Sequence, residues 1–370
     1  MGAIDYLRAV GRPAASLLRS SGTPGDVAVL QRRWSHHAIR SGYAPAAQGL
    51  GLVIASQVNL LPFIVARHGR TSAAGNGCRK AAEVDLLMRV FHRRKLLVVD
   101  GDFSFPLMAG LDRSQDRTVI PVLHQPVSDL SLLISQAEAG SVQGAICVAR
   151  CQIPIAERLV GAGRAIFVPH GVDCSWFTPG HRSSEPVFVC TGVHRRDFQL
   201  LERIAAQLRA AAPRARVCLI APAAWLPASL DCSNLEVRTD VSDEELREAY
   251  RSAWGLLMPI TDATANNSIL EAAACGTPII ATDIGGVRDY VPESAGLLCR
   301  GDADTYVDAV RQLIDQPSLR DSLGASARRN AETLAWPGVR AALLAAICEI
   351  DWCSRSDGKT SATWTTLRTR

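Results

Sequence analysis

TANNSILEAAACGTPIIATDIGGVRDY, residues 264–290, is the stretch that decides the fold, because it joins a helix start to a buried strand. Its polar opening favours a helix cap, an apolar helix follows, and the Gly-Thr-Pro sequence ends that helix. The apolar run 278–282 is typical of a buried strand, and Gly285 and Gly286 favour a turn after it. A helix start leaves N–H groups unpaired and attracts anions, while Glu271, one turn inside, could accept hydrogen bonds from neighbouring hydroxyls. A nucleotide or a sugar nucleotide offers both kinds of group.

Short apolar runs alternate with amphipathic helical stretches over most of the chain, a pattern typical of parallel α/β folds. The alternation stops at the turn-rich segment 169–186 and then resumes, which indicates a linker between two domains. We therefore expect two Rossmann-like domains facing each other across a cleft, over 1–175 and 176–350, and a polar, disordered tail over 351–370. The predicted strands are 27–30, 51–56, 96–99, 119–123, 145–148 and 165–168 in the first domain, and 187–191, 216–220, 235–238, 255–259 and 278–282 in the second.

The composition argues against several classes of protein. Hydrophobic residues make up 48% of the chain and charged residues 21%, as in a folded protein, and the net charge of +4 without long basic tracts argues against nucleic-acid binding. Eleven cysteines occur without a Cys-x-x-Cys pair or clustered histidines, so we expect no metal site and buried thiols in a reducing compartment. The sequence shows no secretory signal and no bilayer-spanning stretch, so we expect a cytoplasmic protein, with peripheral contact at the inner membrane face left open.

Several motifs in the second half occur together: SDEEL from 242, ILEAAACGTPIIATDIGGVRDYV from 269, GLL at 296–298 and the D-A-x-x-Y-x-x-A sequence that follows. The linker VPHGVDCSWFTPG from 168 and the closing sequence from 323 to 336 belong to the same set. In this combination the chain resembles the group 1 (family 4) glycosyltransferases, which have the GT-B fold. The resemblance covers roughly residues 165–345, and the amino-terminal half matches only in layout.

The resemblance implies a retaining, metal-independent transferase without a cofactor, which moves a sugar from a UDP- or GDP-sugar to an acceptor hydroxyl on a glycan, lipid or small molecule. It implies a donor site mainly on the second domain, an acceptor site on the first, and carboxyl-terminal helices that pack back toward the first domain. Glu271 matches the second Glu of the family's E-x7-E motif, which holds the ribose hydroxyls. The nucleotide-sugar site predicted on this basis comprises Thr264, Asn266, Asn267, Ser268, Glu271, Gly285 and Gly286.

Two positions depart from the family's motifs. Ala263 stands where the first Glu of E-x7-E contacts the transferred sugar, and Asp262 could substitute from the neighbouring position. Val193 stands where an Arg is expected to neutralise the leaving diphosphate, so Arg195 or Arg196 would have to supply that charge.

The first domain contributes two candidate groups. His124 follows a predicted strand, where the family often has a His beside the donor sugar, although a purely structural His is the alternative. The loop after the opening strand, which commonly borders the acceptor in this fold, offers an aromatic and polar set suited to a sugar, although Trp34 could equally belong to the core. The predicted catalytic residues are thus His124, Arg195, Arg196 and Asp262, and the predicted acceptor residues are Trp34, Ser41, Gly42 and Tyr43.

Alternative readings remain open. Asn266 and Asn267 could serve only as helix caps, worth about 1 kcal/mol. Glu271 could be a solvated carboxylate, although its apolar neighbours favour one with binding partners. A sugar-nucleotide 2-epimerase shares the architecture but requires paired carboxylate and His groups in the cleft. A non-catalytic, sugar-nucleotide-binding partner subunit would explain Ala263.

Overall fold

The computed structural model describes residues 27–31, 43–47, 50–55, 73–112, 116–135, 141–231 and 233–355. Trp34, Ser41 and Gly42 of the predicted acceptor loop lie outside these ranges. Among the described residues, no helix combines the length and the hydropathy that crossing a bilayer requires.

Each of the two domains is built on a six-stranded sheet in which all the described pairings are parallel. The strands are β1 Val27–Gln31, β2 Leu52–Ala55, β3 Lys95–Val98, β4 Thr118–Leu123, β5 Ala145–Cys147, β6 Ala165–Phe167, β7 Val187–Thr191, β8 Arg216–Ile220, β9 Glu236–Arg238, β10 Gly255–Met258, β11 Ile279–Thr282 and β12 Gly296–Cys299. Their order is β2-β1-β3-β4-β5-β6 in the first sheet and β12-β11-β10-β7-β8-β9 in the second. The predicted α/β class with two Rossmann-like domains is confirmed.

Helices connect the strands and cover the sheets. They are α1 Ala73–Val90, α2 Phe105–Ala109, α3 Val127–Ser135, α4 Ile153–Val160, α5 Phe198–Ala211, α6 Asp243–Ser252, α7 Asn267–Ala274, α8 Val287–Tyr290, α9 Ala303–Asp315, α10 Pro317–Thr333 and α11 Trp336–Arg355. Amphipathic or apolar helical stretches in the sequence, at 80–92, 196–212, 242–253, 267–274, 305–314 and 318–346, predict α1, α5, α6, α7, α9 and, together, α10 and α11. The short helices α2, α3, α4 and α8 were missed because one to three turns give too few residues for a clear apolar period.

Both faces of each sheet are covered, which is why the strands appear in the sequence as continuous apolar runs. In β10, Leu256 and Met258 pack into one core cluster, whereas Leu257 between them packs into the cluster on the opposite face. Such strands carry no polar face, so the register is fixed by packing on both sides.

The last helix returns from the second domain to the first. Trp336 and Leu343 of α11 share a buried cluster with Val29 of β1, so the predicted packing of the carboxyl-terminal helices toward the first domain is observed. Pro337 lies in the first turn of α11, where its missing N–H removes no hydrogen bond, and the preceding helix α10 already ends at Thr333. The helix continues to Arg355, so the first five residues of the segment expected to be a disordered tail are helical.

Asp351 anchors the end of α11 to the first sheet. Its carboxylate accepts from the hydroxyl of Thr118 and from Nε of Arg355 at 3.0 Å, and it lies 3.4 Å from Nζ of Lys95. Burial alone would raise the pKa of Asp351, but these partners outweigh it and lower the pKa. A lowered folded-state pKa stabilises the fold above the unfolded value of about 3.9, and this stabilisation is lost as the pH falls through the folded-state pKa.

Asp351→Asn should therefore lower the free energy of unfolding at pH 7 by about 1 to 3 kcal/mol, because the bonds lost involve a charged group. Urea unfolding of both proteins at pH 7 and near pH 4 checks this, since the difference should shrink toward the lower pH. Asp321→Asn is the matched control: the Asp321 side chain is 67% exposed and forms two long ion pairs, 3.8 Å from Arg182 and 3.9 Å from Arg320, so little change is expected. Equal effects of the two substitutions would contradict the prediction.

Candidate functional site

The second sheet changes direction between β7 and β10. The chain proceeds from β7 to β8 and β9 on one side and from β10 to β11 and β12 on the other, while β7 and β10 pair directly. Ligands of open parallel sheets bind at such a switch point, outside the carboxyl ends of the strands. The loops that leave β7 and β10 are joined there by a bridge between Arg196 and Ile260.

Helix α7 begins at this switch point. Asn266 is its N-cap, with an extended backbone and a side-chain oxygen that accepts from the N–H of Ile269 at 3.3 Å. Asn266 therefore does cap the helix. The N–H groups of Asn267 and Ser268, in the first turn, have no partners within the helix, and they carry the partial positive charge of the helix start.

The guanidinium group of Arg196 lies between the end of β7 and the start of α7. It donates to the carbonyl oxygens of Thr191 at 2.8 Å and His194 at 2.9 Å, and to Oγ of Ser268 at 3.2 Å. None of these oxygens is charged, and no carboxylate in the described ranges pairs with Arg196. Burial lowers the pKa of Arg196. A desolvated cation beside a helix start is costly without a counter-charge, so this arrangement can bind an anion.

Glu271 lies one turn further along α7 and is 5% exposed, which excludes a solvated carboxylate. Its Oε2 accepts from the hydroxyl of Tyr250 at 3.1 Å. That hydroxyl also lies 3.0 Å from Oγ1 of Thr191, the last residue of β7. The carboxylate, the strand end and the helix start are thus linked by hydrogen bonds.

Three contacts join this edge of the second domain to the first domain. They lie around the end of β4 and the first turn of α3. The hydroxyl of Thr264 donates to the carbonyl oxygen of His124 at 2.5 Å, Oγ of Ser128 donates to Asp262 at 3.5 Å, and Arg195 forms an ion pair with Asp129. The predicted residues His124, Arg195, Asp262 and Thr264 are therefore brought together at the domain boundary.

The two neighbouring arginines have different surroundings. Arg195 has a φ of 56°, in the left-handed region, and its side chain reaches Asp129 of the first domain. Arg196 instead stays within the second domain and contacts Ser268. Only Arg196 therefore combines a position at the start of α7 with the lack of a charged partner in the described part of the chain.

His124 is held mainly by its own domain. Its N–H donates to Asp102 at 2.6 Å and its Nε2 donates to the carbonyl oxygen of Val99 at 2.8 Å. Because a carbonyl oxygen only accepts, Nε2 carries the proton. Asp102 is 1% exposed, and burial raises the pKa of its carboxyl group. These bonds support the structural alternative for His124, and a contact with the donor sugar stays a prediction.

A second set of contacts between the domains is made by α8. Asp289 accepts from the N–H of Arg150 at 2.8 Å. The hydroxyl of Tyr290 accepts from the N–H of His170 at 2.9 Å and donates to the carbonyl oxygen of Val148. The helix thus ties the second domain to the end of β5 and to the linker.

Gly285 and Gly286 allow two chain segments to approach each other closely. A Cβ atom on Gly285 would lie 2.2 Å from the carbonyl oxygen of Ala263, and one on Gly286 would lie 2.6 Å from Cβ of Ala149. The N–H of Gly286 also donates to the carbonyl oxygen of Ala263 at 2.8 Å. The glycines are therefore explained by packing, and a direct contact with a nucleotide sugar stays a prediction.

Tyr43 points inward and is 5% exposed. Its ring lies edge-on to those of His124, His170 and Trp336, with centroids 5.1, 5.2 and 5.8 Å away. The ring is therefore packed within the buried cluster that also contains Trp336, and a contact with an acceptor stays a prediction.

Three residues at the site were not identified from the sequence. Ser128 and Asp129 follow a predicted strand end in the sequence VLHQPVSD, which was a usable signal. Tyr250 lies on the apolar face of α6 and is indistinguishable there from a core residue. Its hydroxyl contacts depend on the placement of β7 and α7, which spacing alone does not give.

Residues 185–316 match the family described as glycosyl transferases group 1. The second domain is thus similar to the group 1 glycosyltransferases. The D-inositol 3-phosphate glycosyltransferase of Geodermatophilus obscurus is 32% identical to this chain over 213 residues, a match that covers 50% of this chain and 47% of that protein. The corresponding protein of Thermomonospora curvata is 37% identical over 93 residues, 25% of this chain and 22% of that protein. The chain thus spans about half, or less, of the length of these curated relatives.

Solved structures resemble both the group 1 domain and the domain before it. A glycosyltransferase from Rickettsia africae has a TM-score of 0.68 and 11% identity and covers 88% of this chain and 98% of its own. The Anabaena protein HepE, in complex with UDP and glucose, has a TM-score of 0.64 and 12% identity and covers 88% of this chain and 99% of its own. At such identities the similarity shows the fold, which is GT-B as predicted.

Proposed function

We propose that this chain is a retaining glycosyltransferase that moves a sugar from a UDP- or GDP-sugar to an acceptor hydroxyl, without a metal. One observation carries the proposal: Arg196, which has no charged partner in the described ranges, meets the start of α7 at the switch point of the sheet. A cation and a helix start together suit the paired phosphates of a nucleoside diphosphate. The UDP bound to HepE supports the same class of ligand.

The position of Glu271 suits the ribose of that nucleotide. It follows Ser268 by three residues, so the two lie about 4.5 Å apart along the helix axis and on nearly the same face. A carboxylate that only accepts hydrogen bonds can bind two neighbouring hydroxyls. Phosphates at Ser268 and hydroxyls at Glu271 therefore match the order of groups in a nucleoside diphosphate.

The reaction exchanges one bond for another on the same face of the sugar. The bond between C1 and the β-phosphate oxygen breaks, the acceptor oxygen bonds to C1, and its proton passes to the departing phosphate oxygen. Negative charge grows on the diphosphate, and fixed positive groups at Arg196 and at the first turn of α7 would stabilise it. His124, Asp262 and Thr264, at the domain boundary, would lie beside the sugar.

The acceptor is proposed to approach from the first domain, at the first turn of α3. The name of the relatives, D-inositol 3-phosphate glycosyltransferase, makes that phosphorylated polyol the first acceptor to test. Release of nucleoside diphosphate from each sugar nucleotide, with and without the acceptor, measures turnover. An epimerase would instead convert UDP-N-acetylglucosamine with no acceptor present.

Glu271→Gln should weaken the binding of the preferred nucleoside diphosphate about 10- to 100-fold, because charge-assisted hydrogen bonds to the ribose are weakened. Calorimetric titration of UDP, GDP and ADP into both proteins checks this. Glu248→Gln is the control, since Glu248 lies on the exposed side of α6 and pairs with Arg251. No binding of any of the three nucleotides to the wild-type protein would overturn the proposed function.

One observation favours a non-catalytic nucleotide-binding subunit as a second candidate. Ala263 offers no carboxylate to the sugar, and Oδ1 of Asp262 accepts from the N–H of Ala263 at 2.8 Å. The carboxylate that could substitute is thus partly engaged by its own backbone. Tight nucleotide binding without diphosphate release, across all acceptors tested, would favour this candidate.

A further inference from the structure

The buried hydroxyl of Tyr250 connects the carboxylate of Glu271 to the end of β7 in the candidate donor site. Tyr250 is 1% exposed, and its hydroxyl lies 3.0 Å from Oγ1 of Thr191 and 3.1 Å from Oε2 of Glu271. Neither the sequence motifs nor the proposed function assigns a role to this tyrosine.

The direction of the hydrogen bonds follows from the groups involved. An ionised carboxylate only accepts, so the single proton of the Tyr250 hydroxyl is donated to Glu271. The hydroxyl of Thr191 can then donate to the oxygen of Tyr250. Burial, and next the nearby charge of Glu271, raise the pKa of Tyr250 well above its ordinary value, so the hydroxyl stays a donor at physiological pH.

A carboxylate on a long side chain binds two hydroxyls well only when its plane is fixed, because otherwise binding must restrict its rotation. The hydrogen bond from Tyr250 supplies that restriction from the side of α6, while the chain from Thr191 ties it to the end of β7. The orientation of Glu271 is thus set relative to the strand end and helix start that would hold the phosphates.

We propose that Tyr250 is a positioning residue, which holds the carboxylate of Glu271 in the orientation that binds the ribose hydroxyls of the donor nucleotide. The inference rests on the proposed function. It predicts that loss of the Tyr250 hydroxyl weakens the binding of the ribose hydroxyls and leaves the binding of the diphosphate unchanged. A purely structural role would instead weaken ribonucleotide and deoxyribonucleotide binding alike.

Tyr250→Phe removes the hydroxyl and keeps the ring. Calorimetry with the preferred nucleoside diphosphate and its 2′-deoxy and 3′-deoxy forms gives the ratio of affinities for each protein. We expect the wild type to favour the ribonucleotide about 10- to 100-fold, and Tyr250→Phe to reduce that ratio at least about fivefold. Affinity for the deoxy forms should change by less than about twofold, because the diphosphate contacts are untouched.

Tyr306→Phe is the matched control. Tyr306 is 0% exposed in the same domain, and its hydroxyl also has two partners, donating to the carbonyl oxygen of Met258 at 2.7 Å and lying 2.9 Å from Oγ1 of Thr282. The Tyr306→Phe protein should lose stability as the Tyr250→Phe protein does, but it should keep the wild-type ratio of affinities for the ribonucleotide and its deoxy forms. Thr191→Val, which keeps the side-chain shape, is a second test should Tyr250→Phe fail to fold, and a partial loss of the ratio is expected.

The outcomes separate this inference from the proposed function. The positioning role alone would be overturned if Tyr250→Phe kept the wild-type ratio of affinities for the ribonucleotide and its deoxy forms. If Tyr250→Phe does not fold, the same result in Thr191→Val would overturn it. Equal binding of ribose and deoxyribose forms by the wild type would overturn both this role and that of Glu271. If the wild type binds no nucleoside diphosphate, the proposed function falls and the inference falls with it.

Discussion

Replacing Arg196 by alanine should slow sugar transfer about a hundred- to a thousand-fold, the effect typical of removing one preorganised donor to a developing negative charge. The side chain contacts Ser268 at the start of α7 and has no carboxylate partner in the described ranges, so its charge is available to a departing diphosphate. The rate is measured as the release of nucleoside diphosphate from the sugar nucleotide and acceptor that the wild type uses. Arg196→Lys should retain part of the rate, because the charge remains while the planar set of donors is lost.

Arg195→Ala is the control for that experiment. The two arginines are adjacent, but Arg195 is paired with Asp129 across the domain boundary, so its loss should cost much less. Thermal unfolding of each variant shows whether the fold is retained, which matters because Arg196 also donates to Thr191 and His194. Equal rates for wild type and a folded Arg196→Ala would contradict the assignment, and a larger loss at Arg195 would transfer it to that residue.

The sheets and α7 could be predicted because local sequence determines them. Strands buried on both faces are continuous apolar runs whatever the rest of the chain does, and α7 carries its own cap at Asn266 and its own stop at Gly276. The return of the last helix, α11, to the first domain followed only from the family resemblance. The precise end of α11 did not follow at all, because the bonds of Asp351 come from β4 and β3, more than 200 residues earlier.

The position of the candidate site in the fold followed from the sequence, whereas the contacts within it did not. A position beside the start of α7 follows from sequence order, whereas the choice between Arg195 and Arg196 depends on a left-handed φ at Arg195 that no propensity indicates for arginine. The pairing of Arg195 with Asp129 requires both domains to be in place. The hydroxyl of Tyr250 was hidden for a similar reason, because a helix period marks a residue as buried without saying which polar atoms it meets.

Gly285 shows how a close approach of two backbone segments can appear in the sequence as a ligand-binding motif. Its φ is 56°, a conformation that costs a residue with a Cβ atom roughly 1 to 2 kcal/mol. The added Cβ would also lie 2.2 Å from the carbonyl oxygen of Ala263 and 2.8 Å from Oδ1 of Asp262. A backbone carbonyl cannot rotate away as a side chain can, so the loop 262–266, which leads into α7, would have to move.

Gly285→Ala should therefore lower the free energy of unfolding by about 2 to 5 kcal/mol, the sum of the conformational cost and the cost of overpacking. It should also weaken nucleotide binding, because the displaced loop carries the cap of α7. Gly301→Ala is the control in the same domain: its φ is 85°, but its Cβ would meet only Cγ2 of Thr282 at 3.4 Å, an ordinary contact. Urea unfolding and calorimetry of both variants separate the conformational cost from the cost of overpacking. Gly301→Ala should show the conformational cost alone and keep the wild-type affinity for nucleotide. Equal losses of stability would mean that the contact with Ala263 yields to a side chain, and glycine at 285 would then be required only for its backbone angle.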